Sequence, residues 1–362
     1  MTADRFCLWA FGDAHVGTDL KEGRHSLSYA LRTSEQGGDA GGPSFAWDIA
    51  VDIGDMSGGQ VVPEDEEGEE VVRQLGALET HGRQDIYHIC GNHDRSGLDE
   101  PPAWWWRKWV DPTGEHAAHS GVDAATRRYP VDGTWERYSF EVGNILFLLM
   151  SDINEPSQII GRGDLGGNPA GVVTGETFDW WCRMVDAHPD YIIVSAHHYM
   201  LKETTVASGD WEGMRRNAQG EWESHYHGLK PQGAPVGASY LYFVDSKPDS
   251  GAFERYLQSH PGAVDLWLGG HTHTHPDDTC GGKSHIETRW GGTHFVNVSS
   301  LSRYHGVANV PKSRLFTFTE GSDEVVVQCY MHSDEFMSEG WYEEAERKLR
   351  LTRPFSWDQP VP

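Results

Sequence analysis

Five short β-prone runs in this chain each end in a cluster of glycine, carboxylate, amide or imidazole side chains, and that recurrence constrains the fold more than any other feature. The runs are Arg5 to Phe11, followed by Gly12-Asp13-Ala14-His15; Asp48 to Ile53, followed by Gly54-Asp55; Asp85 to Cys90, followed by Gly91-Asn92-His93-Asp94; Tyr191 to Ala196, followed by His197-His198; and Ala263 to Leu268, followed by Gly269-Gly270-His271-Thr272-His273. Apolar residues bounded by Gly, Asp and Asn, alternating as in Ile49, Val51 and Ile53, read as strands, so each cluster falls just past a strand's carboxyl end. Helical periods lie between them. After Pro63, the acids Glu64, Asp65, Glu66, Glu67, Glu69 and Glu70 precede Val71, Val72, Leu75 and Leu78; further on, Glu176 to Ala187 and Ala252 to Ser259 each gather their large apolar residues on one face. Strand then helix, repeated, predicts βαβ units and a layered α/β fold. The acidic run suits a solvated helix N-terminus and is assigned no catalytic role.

Two hairpins break the pattern: Arg137 to Val142 with Ile145 to Met150 around Gly143-Asn144, and Arg314 to Thr319 with Glu324 to Tyr330 around Gly321. A chain of 362 residues without a fixed repeat or a long linker reads as one domain, residues 1–332, with insertions at about 95–135 and 200–236. Residues 333–362 read as a tail with a short helix, Trp341 to Leu351. Trp104, Trp105, Trp106 and Trp109 in the first insertion suit either stacking on a base or sugar ring or packing a cap on the core.

The 55 acidic against 29 basic side chains give a formal charge of -26, which repels phosphate backbones and anionic lipid, so neither duplex nucleic acid nor a membrane is an expected partner. The longest apolar run, Ile145 to Met150, falls far short of the roughly 20 residues of a membrane span. No export signal is read at the N-terminus, and five scattered cysteines without a C-x-x-C pair fit reduced thiols and a cytoplasmic location.

In open parallel sheets, ligands bind outside the strands' carboxyl ends, so the five clusters should meet in one crevice. That brings together Asp13, His15, Asp55, Asn92, His197, His271 and His273, an oxygen and nitrogen set with no thiolate, suited to Mn, Fe, Zn or Co. Seven ligands exceed one ion's needs. Two divalent metal ions roughly 3.5–4 Å apart, bridged by one carboxylate, would use them all.

Gly12-Asp13-Ala14-His15, Gly54-Asp55, Gly91-Asn92-His93-Asp94, His197 and Gly270-His271-Thr272-His273 resemble the ordered motif set of the calcineurin-like metallophosphoesterases, and Gly292 to Ser299 with the following hairpin resembles that family's closing strands. The resemblance implies a four-layer α/β/β/α sandwich and a hydrolase in which two metals activate a water for attack on phosphorus. It puts Asp13, His15 and His273 on one metal, Asn92, His197 and His271 on the other, with Asp55 bridging, and makes His93 the general acid or transition-state donor and Asp94 its orienter or a loop anchor. Between His197 and His198 it selects His197; His198 is left to substrate or surface, and His275 to structure. Where many members carry a second Asp three residues after the bridging one, this chain has Gly58.

The expected substrate is a small phosphodiester or phosphomonoester, nucleotide-like among the candidates, with Arg95, Arg162 and Lys202 the cations nearest the motifs. Two other readings stand beside it: a non-catalytic scaffold on the same fold, and a His-x-His metallohydrolase of another class, prompted by His271-Thr272-His273-Thr274-His275.

Overall fold

The computed structural model describes residues 4–59, 61–97, 100–153, 171–209, 214–216, 222–224, 228–229, 235–236, 240–245, 247–249, 251–303 and 310–360. Two seven-stranded mixed sheets dominate the described residues. In the first, Arg5–Phe11 is parallel to Ile49–Asp52, which is parallel to Ile86–His88, and antiparallel to Lys312–Thr319 on its other side. Glu324–Met331, Gly340–Trp341 and Arg347–Arg350 extend that side. In the second, Ile145–Met150, Ile192–His197, Leu266–Gly269 and Thr293–Asn297 run parallel, with Arg137–Val142 antiparallel at one flank and Ile286–Arg289 at the other.

Side-chain alternation along these strands builds four layers. Phe6, Leu8 and Ala10, with Ile49, Val51 and Ile53, meet Phe147, Leu149, Ile192, Val194, Leu266 and Leu268 in a core between the sheets. The opposite faces are covered by helices. Trp9, Ala50 and Ile86 pack on Leu27 and Leu31 of the helix Ser26–Gln36 and on Val71 and Leu75 of Asp65–Leu75. Leu146, Leu148, Ile193 and Trp267 pack on Trp181 and Val185 of Gly175–Ala187 and on Phe253 and Leu257 of Ala252–Ser259. Helix, sheet, sheet, helix is the sandwich expected.

Both hairpins form as expected. The Trp cluster resolves toward packing: the helix Trp104–Trp109 buries Trp105, Trp106 and Trp109 against the helix side of the first sheet. The tail corrects one expectation. Residues 341–351 are no helix but a 3-10 turn, Glu343–Ala345, and an edge strand, Arg347–Arg350, antiparallel to Glu324–Met331. Leu349 and Leu351 drop into the inter-sheet core while Arg347, Lys348 and Arg350 stay in water, a period of two that overrides helical propensity and leaves cations on the edge. Residues 210–213, 217–221, 225–227 and 230–234 of the 200–236 insertion, and Arg162, lie outside the described residues. Among the described residues, no helix is long and apolar enough to cross a membrane.

Candidate functional site

The carboxyl ends of strands from both sheets meet at one edge of the sandwich. Backbone bonds stitch them together: the Asp13 amide donates to the Gly54 carbonyl at 2.8 Å, the His15 amide to the Asp55 carbonyl at 3.0 Å, and the Gly270 amide to the His198 carbonyl at 2.8 Å. Close approach depends on Gly54, with φ +96°, where a Cβ would sit 2.6 Å from the Gly91 nitrogen. Asp13, His15, Asp55 and His271 all adopt left-handed backbone, with φ of 56°, 43°, 60° and 66°. Non-glycine residues hold that conformation only where the surroundings enforce it, and such positions gather at functional sites.

Two donor groups result. In the first, Asp13, His15 and His273 present atoms within 4.8 Å of one another: His273 Nε2 lies 2.8 Å from Asp13 Oδ1 and 3.3 Å from His15 Nε2. In the second, Asp55, His198 and His271 do the same, and Asn92 Oδ1 lies 3.0 Å from His198 Nε2 and 2.9 Å from His271 Nδ1. Asp55 joins the two groups, its Oδ2 being 3.1 Å from His198 Nε2 and 3.8 Å from His15 Nε2. Six of the seven ligands expected from sequence converge here.

The seventh is displaced by one residue. Ile192, Val194 and Ala196 face the inter-sheet core, whereas Ser195 turns outward to accept the Trp181 indole N–H at 2.8 Å. His197 shares the outward parity and His198 the inward one. Accordingly, His197 Nδ1 accepts the Tyr199 amide at 3.0 Å and its Nε2 lies 3.9 Å from Asp152, while His198 reaches Asp55 and Asn92. Alternation puts the two histidines on opposite faces of this strand, and the packing of Ile192, Val194 and Ala196 shows which face is inward. His275 stays outside both groups, its ring edge-on to Phe336 and its Nδ1 accepting the Asp277 amide.

His93 belongs with His15 and Asp55 in a third close group. Its amide donates to Asp55 Oδ1 at 2.7 Å, its ring stands edge-on to His15 with centroids 4.8 Å apart, and its Nδ1 is held by the Gly59 carbonyl. Asp94 proves to be a loop anchor. Its carboxylate accepts the Asp55 and Gly91 amides on one oxygen, at 2.9 and 2.8 Å, and the Ser57 amide on the other, at 2.8 Å. It therefore positions the backbone of Asp55. At Gly58, a Cβ would lie 2.0 Å from the Thr18 nitrogen, so the local packing has no room for a second acid.

The electrostatics call for positive charge. Burial alone would raise the Asp55 carboxyl, but His198 and His93 outweigh it and hold it well below the ordinary carboxylate range. Burial would likewise lower His198, yet the Asp55 carboxylate raises it to about 10. Burial and the Asp55 charge push Asp94 up to about 7. His15 donates from Nδ1 to the Ser57 carbonyl at 2.9 Å, which leaves its Nε2 lone pair toward Asp13, Asp55 and His273. Carboxylates, an amide oxygen and imidazole lone pairs so arranged are balanced by a proton on His198 or by cations, and the all-oxygen-and-nitrogen set fits divalent metal ions. Neighbouring groups support the frame: Asn297 holds the Thr272 hydroxyl, Ser299 the Thr272 carbonyl, and the buried Lys312 the Thr274 carbonyl at 2.9 Å. These three were not recognised in the sequence, because they lie far from the motifs and carry no signature of their own.

No family model and no curated protein matches the chain. Among solved structures, GAP50, the anchor in the inner membrane complex of Plasmodium, is similar at a TM-score of 0.51 and 9% identity, over 97% of this chain and 90% of that one. PhoD is similar at 0.44 and 8% identity, over 99% and 74%. A conserved uncharacterized protein from Streptococcus pneumoniae, described as a predicted phosphoesterase, is similar at 0.36 and 11% identity, over 97% and 99%. With its two facing mixed sheets, outer helices and strand-end Asp, Asn and His clusters, the chain has the fold of the calcineurin-like metallophosphoesterases.

Proposed function

We propose that the chain is a binuclear metal-dependent phosphoesterase acting on a small phosphodiester or phosphomonoester. The observation that carries this reading is Asp55, a buried carboxylate shared between two oxygen-and-nitrogen donor groups. Asp13, His15 and His273 would hold one cation, Asn92, His198 and His271 the other, with Asp55 serving both. Bound there, divalent cations supply an acidified water and charge to offset that developing on phosphorus-bound oxygens.

The chain's own residues do the rest. Asp94 and Gly54 set the Asp55 backbone so that its two oxygens diverge, one accepting the His93 amide and the other facing His198. His93 donates from Nδ1 to the Gly59 carbonyl, so in its imidazolium form Nε2 can supply a proton or a hydrogen bond to the leaving oxygen. Asp13, His15 and His198 at the floor of the site are fully buried, which strengthens every charge interaction above them.

A direct test is metal analysis of the purified protein with parallel assays of an aryl phosphomonoester, an aryl phosphodiester, cyclic nucleotides and a lactam, before and after chelation and readdition of Mn, Fe, Zn or Co. Hydrolysis of a phosphoester that is lost on chelation and restored by metal supports the proposal. Turnover of the lactam alone would assign another metallohydrolase class. The likeness to an anchor protein keeps a scaffold as the second reading; two bound metals with no activity across the panel would favour it.

A further inference from the structure

The acidic first turn of the helix Asp65–Leu75 reads from sequence as a solvated face, and Glu64, Asp65, Glu66 and Glu69 are indeed exposed. Glu67 differs. Its Oε1 accepts the Gly58 amide at 2.6 Å, and its carboxylate fills the space beside Gly17, where a Cβ would fall 2.2 Å from Oε2. The Gly17 amide also faces this carboxylate. One side chain thus ties the loop after the first strand to the loop after the second.

Those loops orient two imidazoles of the site. The Ser57 carbonyl receives His15 Nδ1 and the Gly59 carbonyl receives His93 Nδ1. Gly58, between them, carries no side chain of its own and has no space for one, since the Thr18 backbone occupies it; Thr18 Oγ1 donates to the Gly58 carbonyl. The peptide unit whose carbonyl aims His15 is therefore held through its Gly58 N–H by Glu67, the next unit is held through the Gly58 carbonyl by Thr18, and the Gly59 carbonyl that aims His93 follows directly on that clamped pair. A carboxylate accepting backbone N–H groups is a strong and directional tie.

We infer that Glu67 is a positioning residue: by fixing the Gly58 amide it sets the Ser57 and Gly59 carbonyls, and through them the ring orientation and tautomer of His15 and His93. Its effect on turnover rests on the phosphoesterase reading; its effect on the two rings does not. Supporting partners of this kind in metal sites typically matter by about 10–100-fold.

The test compares the full-length protein with Glu67→Ala and Glu67→Gln, using 15N-histidine labelling to follow the protected Nδ1–H resonances, the His93 signal being assigned by its loss in His93→Ala. Glu67→Ala should lose or broaden both resonances while circular dichroism stays native, and kcat should fall about 10–100-fold with KM within about twofold. Glu67→Gln, which keeps one acceptor for Gly58, should fall between it and the parent. If Glu67→Ala does not fold, Glu67→Asp, with its carboxylate drawn back from Gly58, should shift both resonances in a folded protein. Unchanged resonances in a folded Glu67→Ala or Glu67→Asp protein overturn the inference. A parent protein inactive on every phosphoester overturns the functional proposal instead and leaves the resonances to decide this one.

Discussion

Replacing His198 and His197 separately by alanine should have opposite consequences, and the size of the difference follows from the structure. His198 is fully buried with Nε2 3.1 Å from Asp55 Oδ2, and its rise from 6.5 to about 10 corresponds to roughly 5 kcal/mol of interaction at about 1.36 kcal/mol per pKa unit. That agrees in order with the 3–5 kcal/mol typically lost when one partner of a buried charge pair is removed, about what a chelator-stripped His198→Ala protein should lose at neutral pH. With metal present, the same variant should retain about one equivalent of cation and lose turnover by about 100-fold or more, since a direct ligand matters at least as much as its supporting partners. His197→Ala removes the acceptor of the Tyr199 amide and a buried ring beside Asp152, a loss of about 1–3 kcal/mol, and should keep both cations and turnover within a few-fold. Metal content by mass spectrometry and urea unfolding with and without chelator read both effects. Loss of a cation from His197→Ala, with His198→Ala retaining two, would refute the strand-parity argument.

Further outcomes follow from the same geometry. In the metal-free protein the His198–Asp55 pair, with the histidine raised to about 10, contributes fully below about pH 6.5 and fades as pH climbs through about 10; urea midpoints should fall across that window in the parent and stay flat in His198→Ala. His93→Ala should cut turnover by about 100-fold with metal content near that of the parent, whereas Asp55→Ala should lose metal as well; equal and small effects from both count against the assigned roles. Gly58→Ala, whose Cβ would lie 2.0 Å from the Thr18 nitrogen, should lower stability by about 1–3 kcal/mol, measured by thermal or urea unfolding, and an unchanged midpoint would show that the 17–18 backbone moves freely.

Much of the architecture was legible because period-two alternation and helical spacing both survive in a single sequence. The strand Arg5–Phe11 and the helix Ala252–Ser259 have the bounds expected. The tail was misread because Trp341 to Leu351 contains good helix formers, and only the pairing with Glu324–Met331 makes Leu349 and Leu351 inward neighbours. At the site, glycine-flanked Asp, Asn and His residues mark strand ends one by one, and their order suffices to predict convergence. Choosing between adjacent histidines required knowing which face of the strand Ile192–His197 looks into the sandwich. The role of Asp94 was open for a similar reason, since a carboxylate beside a catalytic histidine and one clamping three backbone amides look alike in a sequence.

What the amino-acid order alone determines here is therefore local and periodic: where strands end, which side chains stand at those ends, and that their donor chemistry suits divalent cations. What only the tertiary structure decides is facing. His198 rather than His197 depends on which face of its strand packs into the sandwich, and Glu67 turned inward and Gly58 pressed against Thr18 depend on how the segments after two neighbouring strands pack together. Such contacts join residues far apart in the chain, and their geometry exists only once both cores have packed and brought the strand ends together.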